Sequence, residues 1–411
     1  MQNYLKLALK VLRRRKFFTF ISLFGISVTL VVLMVATAVM DNLFAPREPE
    51  SRFDRVLFVF RVSQMGANWR MTSEPGYRFV QEFVKPLSGV ERVATYSNQR
   101  SLPIYRGTSK IDVYVKRTDG EYWQILDFRF LEGRPFSAQD DASGAHVAVI
   151  SDRMREKLFG GAPAAGRTFE LDGQSFRVIG VVKRVSQTRV TAFSDIWVPI
   201  GSQRTSDYRH NMMGGYHAMV LARSRGDFPR LRAEFEARLR SFPLDKGFTK
   251  VVTGLDTPFE GFARLLNNNN SDNRRATLAM QAILAAGAIL FMVLPSLNLI
   301  TLNLSRVLER ASEIGVRKAF GAPRRSLVWQ FVVENIVLTL IGGLAGFVLS
   351  VIVLDAITRW ELVPNAQFDV NVRVFAYGML LAVVFGVLSG VYPAWRMSRL
   401  DPVNALRGGA A

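Results

Sequence analysis

The sequence predicts an α-helical membrane protein with four transmembrane helices and a large α+β extracytoplasmic domain inserted between helices 1 and 2. Three observations predict it. Four apolar segments are long enough to cross a bilayer, which takes about 20 residues of helix. Lys and Arg crowd alternate flanks of those segments, as the positive-inside rule requires. Between the first two segments lies a long stretch in which short Val/Ile-rich runs alternate with amphipathic ones.

The first span is Phe17–Met40, without a charge. Its apolar run is too long for a signal-peptide core and no small-x-small cleavage site follows cleanly, so an uncleaved anchor is expected. The second span is Ala276–Leu304, also uncharged, the third is Leu327–Leu354 with Glu334 as its only charge, and the fourth is Val374–Trp395 with none. Residues 1–16 carry Lys6, Lys10, Arg13, Arg14, Arg15 and Lys16 and no acid, and form an expected cytoplasmic amphipathic helix. The 305–326 connection and the 396–411 tail are basic, whereas the 355–373 connection is not. Both termini and 305–326 are therefore expected in the cytoplasm, and 41–275 and 355–373 outside.

Composition narrows the function classes. The 411 residues carry 53 Lys+Arg against 34 Asp+Glu, net +19, which would ordinarily point to nucleic acid. With 49% hydrophobic residues and a mean hydropathy of +0.13, the chain is too apolar for that, and no nucleic-acid partner is expected. The absence of cysteine excludes disulfides, zinc fingers, thiol nucleophiles and iron–sulfur clusters. Three histidines (His146, His210, His217) leave little for a histidine metal site.

In the outer domain, Val56–Val62, Ile111–Val115, Val147–Ile150, Phe176–Val182, Ile196–Pro199 and Ala218–Ala222 read as strands. Gly76–Leu87, Asp152–Phe159 and Phe228–Phe242 read as helices, the second with Ser151 as N-cap. In the third, Leu231, Phe235 and Leu239 line one face. Asn267–Asn270 is a polar loop before the second span. Gly161–Thr168 (G-A-P-A-A-G-R-T) is one residue short of a Walker A loop. Arg167 stands where the Lys should reach the phosphates, and a Gly/Pro loop between helix and strand is the expected role. No other catalytic constellation is present, and enzyme activity is not expected of this chain.

The 305–326 connection is the most informative stretch. Glu309 and Glu313 share a helical face, and Glu313 and Arg317 are spaced i,i+4 in the favourable order. Gly321 and Pro323 fit a helix C-terminus. Ile314 and Phe320 are apolar residues in charged surroundings. Two readings stand on the residues alone: a basic loop on anionic membrane lipid, or a short helix docking into a cytoplasmic partner. Spans three and four carry G-x-x-x-G pairs, Gly342/Gly346 and Gly386/Gly390, which permit close helix approach. Gln330 and Glu334 share a face near the start of span three. An ionisable group there is costly and often functional, but a structural bond to a neighbouring helix or a cytoplasmic arginine is favoured over a proton or substrate role.

The run from Glu309-Arg310 through Glu313-Ile-Gly-Val-Arg-Lys-Ala-Phe-Gly-Ala322, followed by Gln330-Phe-Val-Val-Glu334 and Gly342-Gly343-x-x-Gly346, resembles the FtsX-like permease domain of MacB-type ABC transporters. The tail Gly390-Val-Tyr-Pro-Ala-Trp-Arg-Met-Ser-Arg-Leu-Asp-Pro-Val-Asn-Ala-Leu-Arg407 matches that family's closing motif, and Leu5–Lys16 is similar to the helix preceding its first span. Gly133-Arg-Pro-Phe136, Val147–Ser151, Lys157-Leu-Phe-Gly160 and Val178–Val182 resemble its MacB-like periplasmic core domain.

The resemblance implies a dimeric bacterial inner-membrane permease, paired with a second copy or a paralogue. Glu309, Arg310, Glu313, Ile314, Arg317, Lys318 and Phe320 would couple it to an ATPase. With no true Walker A and no L-S-G-G-Q, ATP and Mg are expected on a separate ABC ATPase subunit and no cofactor on this chain. The function implied is export of an amphipathic substrate (peptide, macrolide or similar). The alternatives are a lipoprotein-releasing LolC/LolE-type permease, or an FtsX-type mechanical signalling module. A periplasmic adaptor and an outer-membrane channel are further partners the family allows.

Overall fold

The structure, a computed structural model, describes residues 16–106, 109–266, 273–309, 324–362, 366, 368 and 370–398. It divides into two compact units, one built around Asn42–Met280 and the other around the apolar helices. Helices used below are α1 (Lys16–Phe44), α2 (Asp152–Phe159), α3 (Phe228–Leu239), α4 (Pro258–Leu266), α5 (Asn273–Glu309), α6 (Arg324–Arg359) and α7 (Val372–Ser398). Among the described residues two helices are long and apolar enough to cross a membrane, over Thr19–Phe44 and Val332–Arg359. The apolar stretches of the other two, Arg275–Phe291 and Val372–Leu388, are shorter.

Among its described residues the Asn42–Met280 unit, the outer unit below, has fourteen strands: β1 (Val56–Val59), β2 (Val62–Met65), β3 (Arg70–Pro75), β4 (Val90–Ser97), β5 (Arg100–Arg106), β6 (Ser109–Thr118), β7 (Phe130–Gly133), β8 (Val147–Ser151), β9 (Thr168–Leu171), β10 (Gln174–Val182), β11 (Ile196–Pro199), β12 (Met213–Gly214), β13 (Tyr216–Ala222) and β14 (Lys250–Val252). Ten form a mixed sheet in the order β1-β13-β4-β6-β11-β8-β10-β7, with β5 on β6 and β9 on β10. The pairs β8/β10 and β6/β11 are parallel. Four strands form a second sheet, β12-β3-β2-β14.

Burial on both faces explains why several strands read as unbroken apolar runs instead of alternating ones. In β1, Val56 and Phe58 enter one core while Leu57 and Val59 enter another. In β13, Met219 and Leu221 join the first core and Ala218, Val220 and Ala222 the second. Further along the sheet, Val149 and Trp197 belong to the first core, but Ala148, Ile150, Ile196 and Val198 enter a third. One face thus carries a continuous aromatic core with Tyr122, Trp123 and Trp197. The opposite face carries two separate cores, one with Leu231 and Phe235 of α3 and one with Met154 and Leu158 of α2.

The helix expected over Phe228–Phe242 ends at Leu239, and two further segments depart from the sequence reading in kind. The expected strand Val56–Val62 breaks after Val59 and resumes as β2 in the other sheet. The expected helix over Gly76–Leu87 is a single α turn followed by a π turn, Val80–Val84. The wider turn puts Phe79, Val80, Phe83 and Val84 together into the second core. The helix Asp152–Phe159 has the expected bounds, and the Ser151 hydroxyl caps it by accepting from the Met154 amide at 3.3 Å.

Within the unit of apolar helices, α1 packs on α6 through small residues. A Cβ on Gly342 would stand 3.0 Å from Ile26 Cβ, and one on Gly346 would stand 3.1 Å from Leu30 Cβ and the Ser27 carbonyl oxygen. Ser27 Oγ donates to the Gly342 carbonyl at 2.8 Å. Ile26, Leu30 and Leu338 form the buried centre of this contact.

Candidate functional site

The coupling residues inferred from the sequence straddle the edge of the described chain. Glu309 is the last residue of α5. Arg310, Glu313, Ile314, Arg317, Lys318 and Phe320 lie outside the described residues. Gln330 and Glu334 are one turn apart in α6, both buried, with Gln330 Nε2 donating to Glu334 Oε1 at 3.2 Å. Asn335 and Thr339 continue this buried polar stripe. Gly386 of α7 faces it: a Cβ there would lie 2.6 Å from Thr339 Oγ1. Of Gly390 the structure gives only its place in α7.

The loop that imitates a phosphate-binding motif is filled by its own chain. Such a loop binds phosphate with free backbone N–H groups. Here the Ala164 and Ala165 amides both donate to Glu132 Oε2, at 2.8 and 3.1 Å. The Gly166 amide donates to Val178 and the Arg167 amide to Ala164. A carboxylate held by Arg155 at 2.9 Å occupies the position a phosphate would need. The Arg167 guanidinium lies over the Phe159 ring. Arg167→Ala is accordingly expected to leave the ATPase activity of an assembled complex within about twofold, since no phosphate contact is lost. A collapse of activity with normal assembly would contradict this.

The outer unit holds a cavity of about 310 Å³ beside the last turn of α1. Its apolar walls are Leu43 and Phe44 of α1, Phe53, Phe60, and Phe262 and Leu265 of α4. The Phe44 ring meets Phe259 and Phe262 edge-on, with centroids 5.5 and 5.4 Å apart. α4 is fixed by a reciprocal cap: Thr257 N donates to Glu260 Oε2 at 2.7 Å and Glu260 N to Thr257 Oγ1 at 3.3 Å. Gly261 lets α4 reach the sheet, because a Cβ there would stand 2.5 Å from the Phe60 ring.

The back of the cavity is charged and its ionisable side chains are buried. Glu50 and Arg189 pair at 3.0 Å, with side chains only 2% and 4% exposed. Arg189 also donates to the Ala45 carbonyl at 2.8 Å, and Thr188 hydrogen-bonds Asn42 of α1. Burial pushes the Glu50 carboxyl up to about 7, although Arg189 beside it pulls the other way. Lys116 lies under the same wall, wholly buried, its ammonium donating to the Val190 and Thr191 carbonyls at 2.7 and 2.6 Å. Burial lowers it to about 7. His217 completes the wall: Nε2 shares a 2.8 Å hydrogen bond with Asn98, and burial lowers the ring to about 3, so it is neutral. An apolar chamber with a polar, titratable end suits an amphipathic guest.

Sequence reasoning missed this site. The strand around Lys116 gives no sign that the ammonium is buried, and Glu50 and Arg189 are 139 positions apart. One part was available: Thr257-Pro-Phe-Glu260 is a capping-box pattern with Pro at the first helical position.

Residues 19–238 match the MacB-like periplasmic core domain and residues 285–402 the FtsX-like permease C-terminal domain. The chain belongs to this family of ABC transporter permeases. It is 25% identical over 338 residues to the uncharacterized ABC transporter permease YknZ of Bacillus subtilis (strain 168), covering 80% of this chain and 79% of that one. It is 27% identical over 325 residues to the macrolide export ATP-binding/permease protein MacB of Bdellovibrio bacteriovorus, covering 78% of this chain and 48% of that one. It therefore spans about half the length of the MacB relative. Among solved structures, the extracellular domain of the noncanonic ABC-type transporter YknZ from Gram-positive bacteria aligns with a TM-score of 0.36 and 20% identity, over 46% of this chain and 98% of that one.

Proposed function

We propose that the chain is the membrane subunit of a transporter in which a separate ATPase subunit binds ATP and Mg and drives export of an amphipathic substrate. The observation that carries this reading is the construction of the cavity. Its apolar wall includes Leu43 and Phe44, the last residues of a helix that runs unbroken from Lys16. A movement of that helix would reshape the chamber directly. The MacB relative is named for macrolide export, and a macrolide or an apolar peptide has the mixed surface such a chamber would take.

In this reading spans 17–40, 276–304, 327–354 and 374–395 cross the inner membrane, and 41–275 stands in the periplasm. Glu309, Arg310, Glu313, Ile314, Arg317, Lys318 and Phe320 dock on the ATPase. The permease acts as a dimer with a second copy or a paralogue.

Cysteine labelling tests this arrangement in a chain with no native cysteine. Ser143 is exposed on the outer unit. Ser143→Cys is expected to react with an impermeant maleimide added to the periplasmic side, and Ser312→Cys to react only after the inner membrane is opened. The reverse pattern would overturn the topology.

A further inference from the structure

A second cleft of about 570 Å³ lies between the two sheets of the outer unit, walled by β3 and β12 on one side and by β4, β5 and β6 on the other. Three features of its lining converge. The first is a pair of guanidinium groups, Arg100 and Arg117, that make no salt bridge among the described residues although Glu74 and Asp172 line the same cleft. Arg117 holds one side-chain hydrogen bond, to Ser202 Oγ at 3.3 Å, and no ion pair among the described residues. Arg100 makes neither among the described residues, and its charge acts on Glu74 across the lining, pulling that carboxyl down against the effect of burial. Burial and the neighbouring Arg100 both disfavour the charge on Arg117, while Tyr216 and Asp172 favour it.

The second feature is a cluster of aromatic faces. The Tyr77 ring meets Tyr208 and Tyr216 edge-on at 5.2 and 5.8 Å, and Tyr208 lies 6.1 Å from Tyr216. Burial pushes the Tyr77 and Tyr216 phenols up to about 12, so both remain neutral. The third is the remaining rim: Ser73 and Ser97 already donate to the Gly214 and Asn98 carbonyls, and Gln203 to Ile200 and Tyr216, so these side chains offer acceptor oxygens, while Asn211 adds an amide.

We propose that this cleft binds an acidic saccharide, the Arg100/Arg117 pair taking its carboxylate and the half-buried Tyr77 and Tyr208 rings lying against the sugar. A carboxylate supplies the close bidentate contact that neither guanidinium makes with Glu74 or Asp172. A polyhydroxylated ring brings the donors that a rim rich in acceptor oxygens, those of Glu74 and Asp172 included, can take, and its C–H faces suit aromatic rings. The volume falls in the usual range for small-ligand sites and has room for roughly two sugar rings. The assignment stands apart from the export reading, because it uses neither the α1 cavity nor any membrane helix.

The test is titration calorimetry on the full chain in detergent, with saturation-transfer NMR to identify the contacting protons. Digalacturonate is the probe. Maltose, of similar size and uncharged, and trialanine with a free carboxyl terminus are the comparisons. Digalacturonate is expected to bind at least about tenfold more tightly than either, and Arg100→Ala, at an exposed position, to weaken it by about tenfold or more, the usual worth of a charged hydrogen bond. Arg117→Ala should do the same, with saturation transfer strongest from ring protons facing the tyrosines. Failure of digalacturonate to bind, equal binding of maltose, tighter binding of trialanine, or affinity unchanged by Arg100→Ala would each overturn the proposal.

Discussion

Arg189→Met is expected to destabilise the outer unit by about 3–5 kcal/mol at pH 8, the cost of leaving one member of a buried ion pair alone. Met keeps much of the volume, so the loss is electrostatic. Glu50, buried, would then lose its ion pair at 3.0 Å and keep only the Ala192 amide at 3.2 Å, and the Ala45 carbonyl would lose its donor. The pH dependence follows from protonation. Glu50 already holds its proton up to about 7 in the folded chain, against an ordinary value of 4.5. The folded state therefore binds the proton more tightly than the unfolded one, and this group's contribution to stability declines as pH rises from 4.5 through 7. Removing Arg189 pushes the carboxyl higher still and extends that decline toward alkaline pH. The variant should melt closest to wild type near pH 5 and fall furthest below it at pH 8. Adding Glu50→Gln should recover part of the loss, because no buried charge is then left unpaired. Tryptophan fluorescence can follow the melts, since Trp123 and Trp197 lie in the core adjoining the pair. A pH-independent shift under 1 kcal/mol would contradict the account.

Ile314→Ala combined with Phe320→Ala is expected to cost roughly 2–5 kcal/mol of association with the ATPase subunit, if each side chain fills a pocket on the partner. The argument is one of sequence pattern. Residues 305–326 are the longest connection expected on the cytoplasmic side, and therefore the available handle for force. Their charges suit the rim of an interface, and two large apolar residues among them suit its anchors. Insertion should proceed normally, because the spans and their flanking arginines are unchanged. Recovery of the ATPase subunit in pull-downs and export should therefore fall together. Full binding and full export in the double variant would favour the lipid-surface reading of the loop.

What could be read in the sequence was what local chemistry determines. Strands buried on both faces, such as Val147–Ser151 and Ile196–Pro199, show as Val/Ile runs because each successive side chain enters a core. The α2 helix shows through its Ser151 cap and its glycine end, where Gly160 has φ +65°. Strands whose formation depends on a distant partner gave no such signal. β3 is Arg-Met-Thr-Ser-Glu-Pro, half of it exposed, and exists because β2 and β12 flank it.

The site was hidden for the same reason. Glu50, Lys116, Arg189 and His217 come from four separate segments, and each looks like a surface residue until the fold encloses it. The glycine pair at 342 and 346 was visible as spacing, but the identity of its neighbour, Ile26 to Leu30 on α1, was not.

The most direct test of the central claim is purification of the full chain from its native membrane in mild detergent, with ATP hydrolysis measured on the complex and on the 411-residue chain alone. The account predicts that a distinct chain bearing a complete Walker A motif co-purifies in stoichiometric amount, that hydrolysis follows that chain, and that the permease alone hydrolyses nothing. Hydrolysis by the permease alone, or a functional complex with no ATP-binding partner, would contradict it.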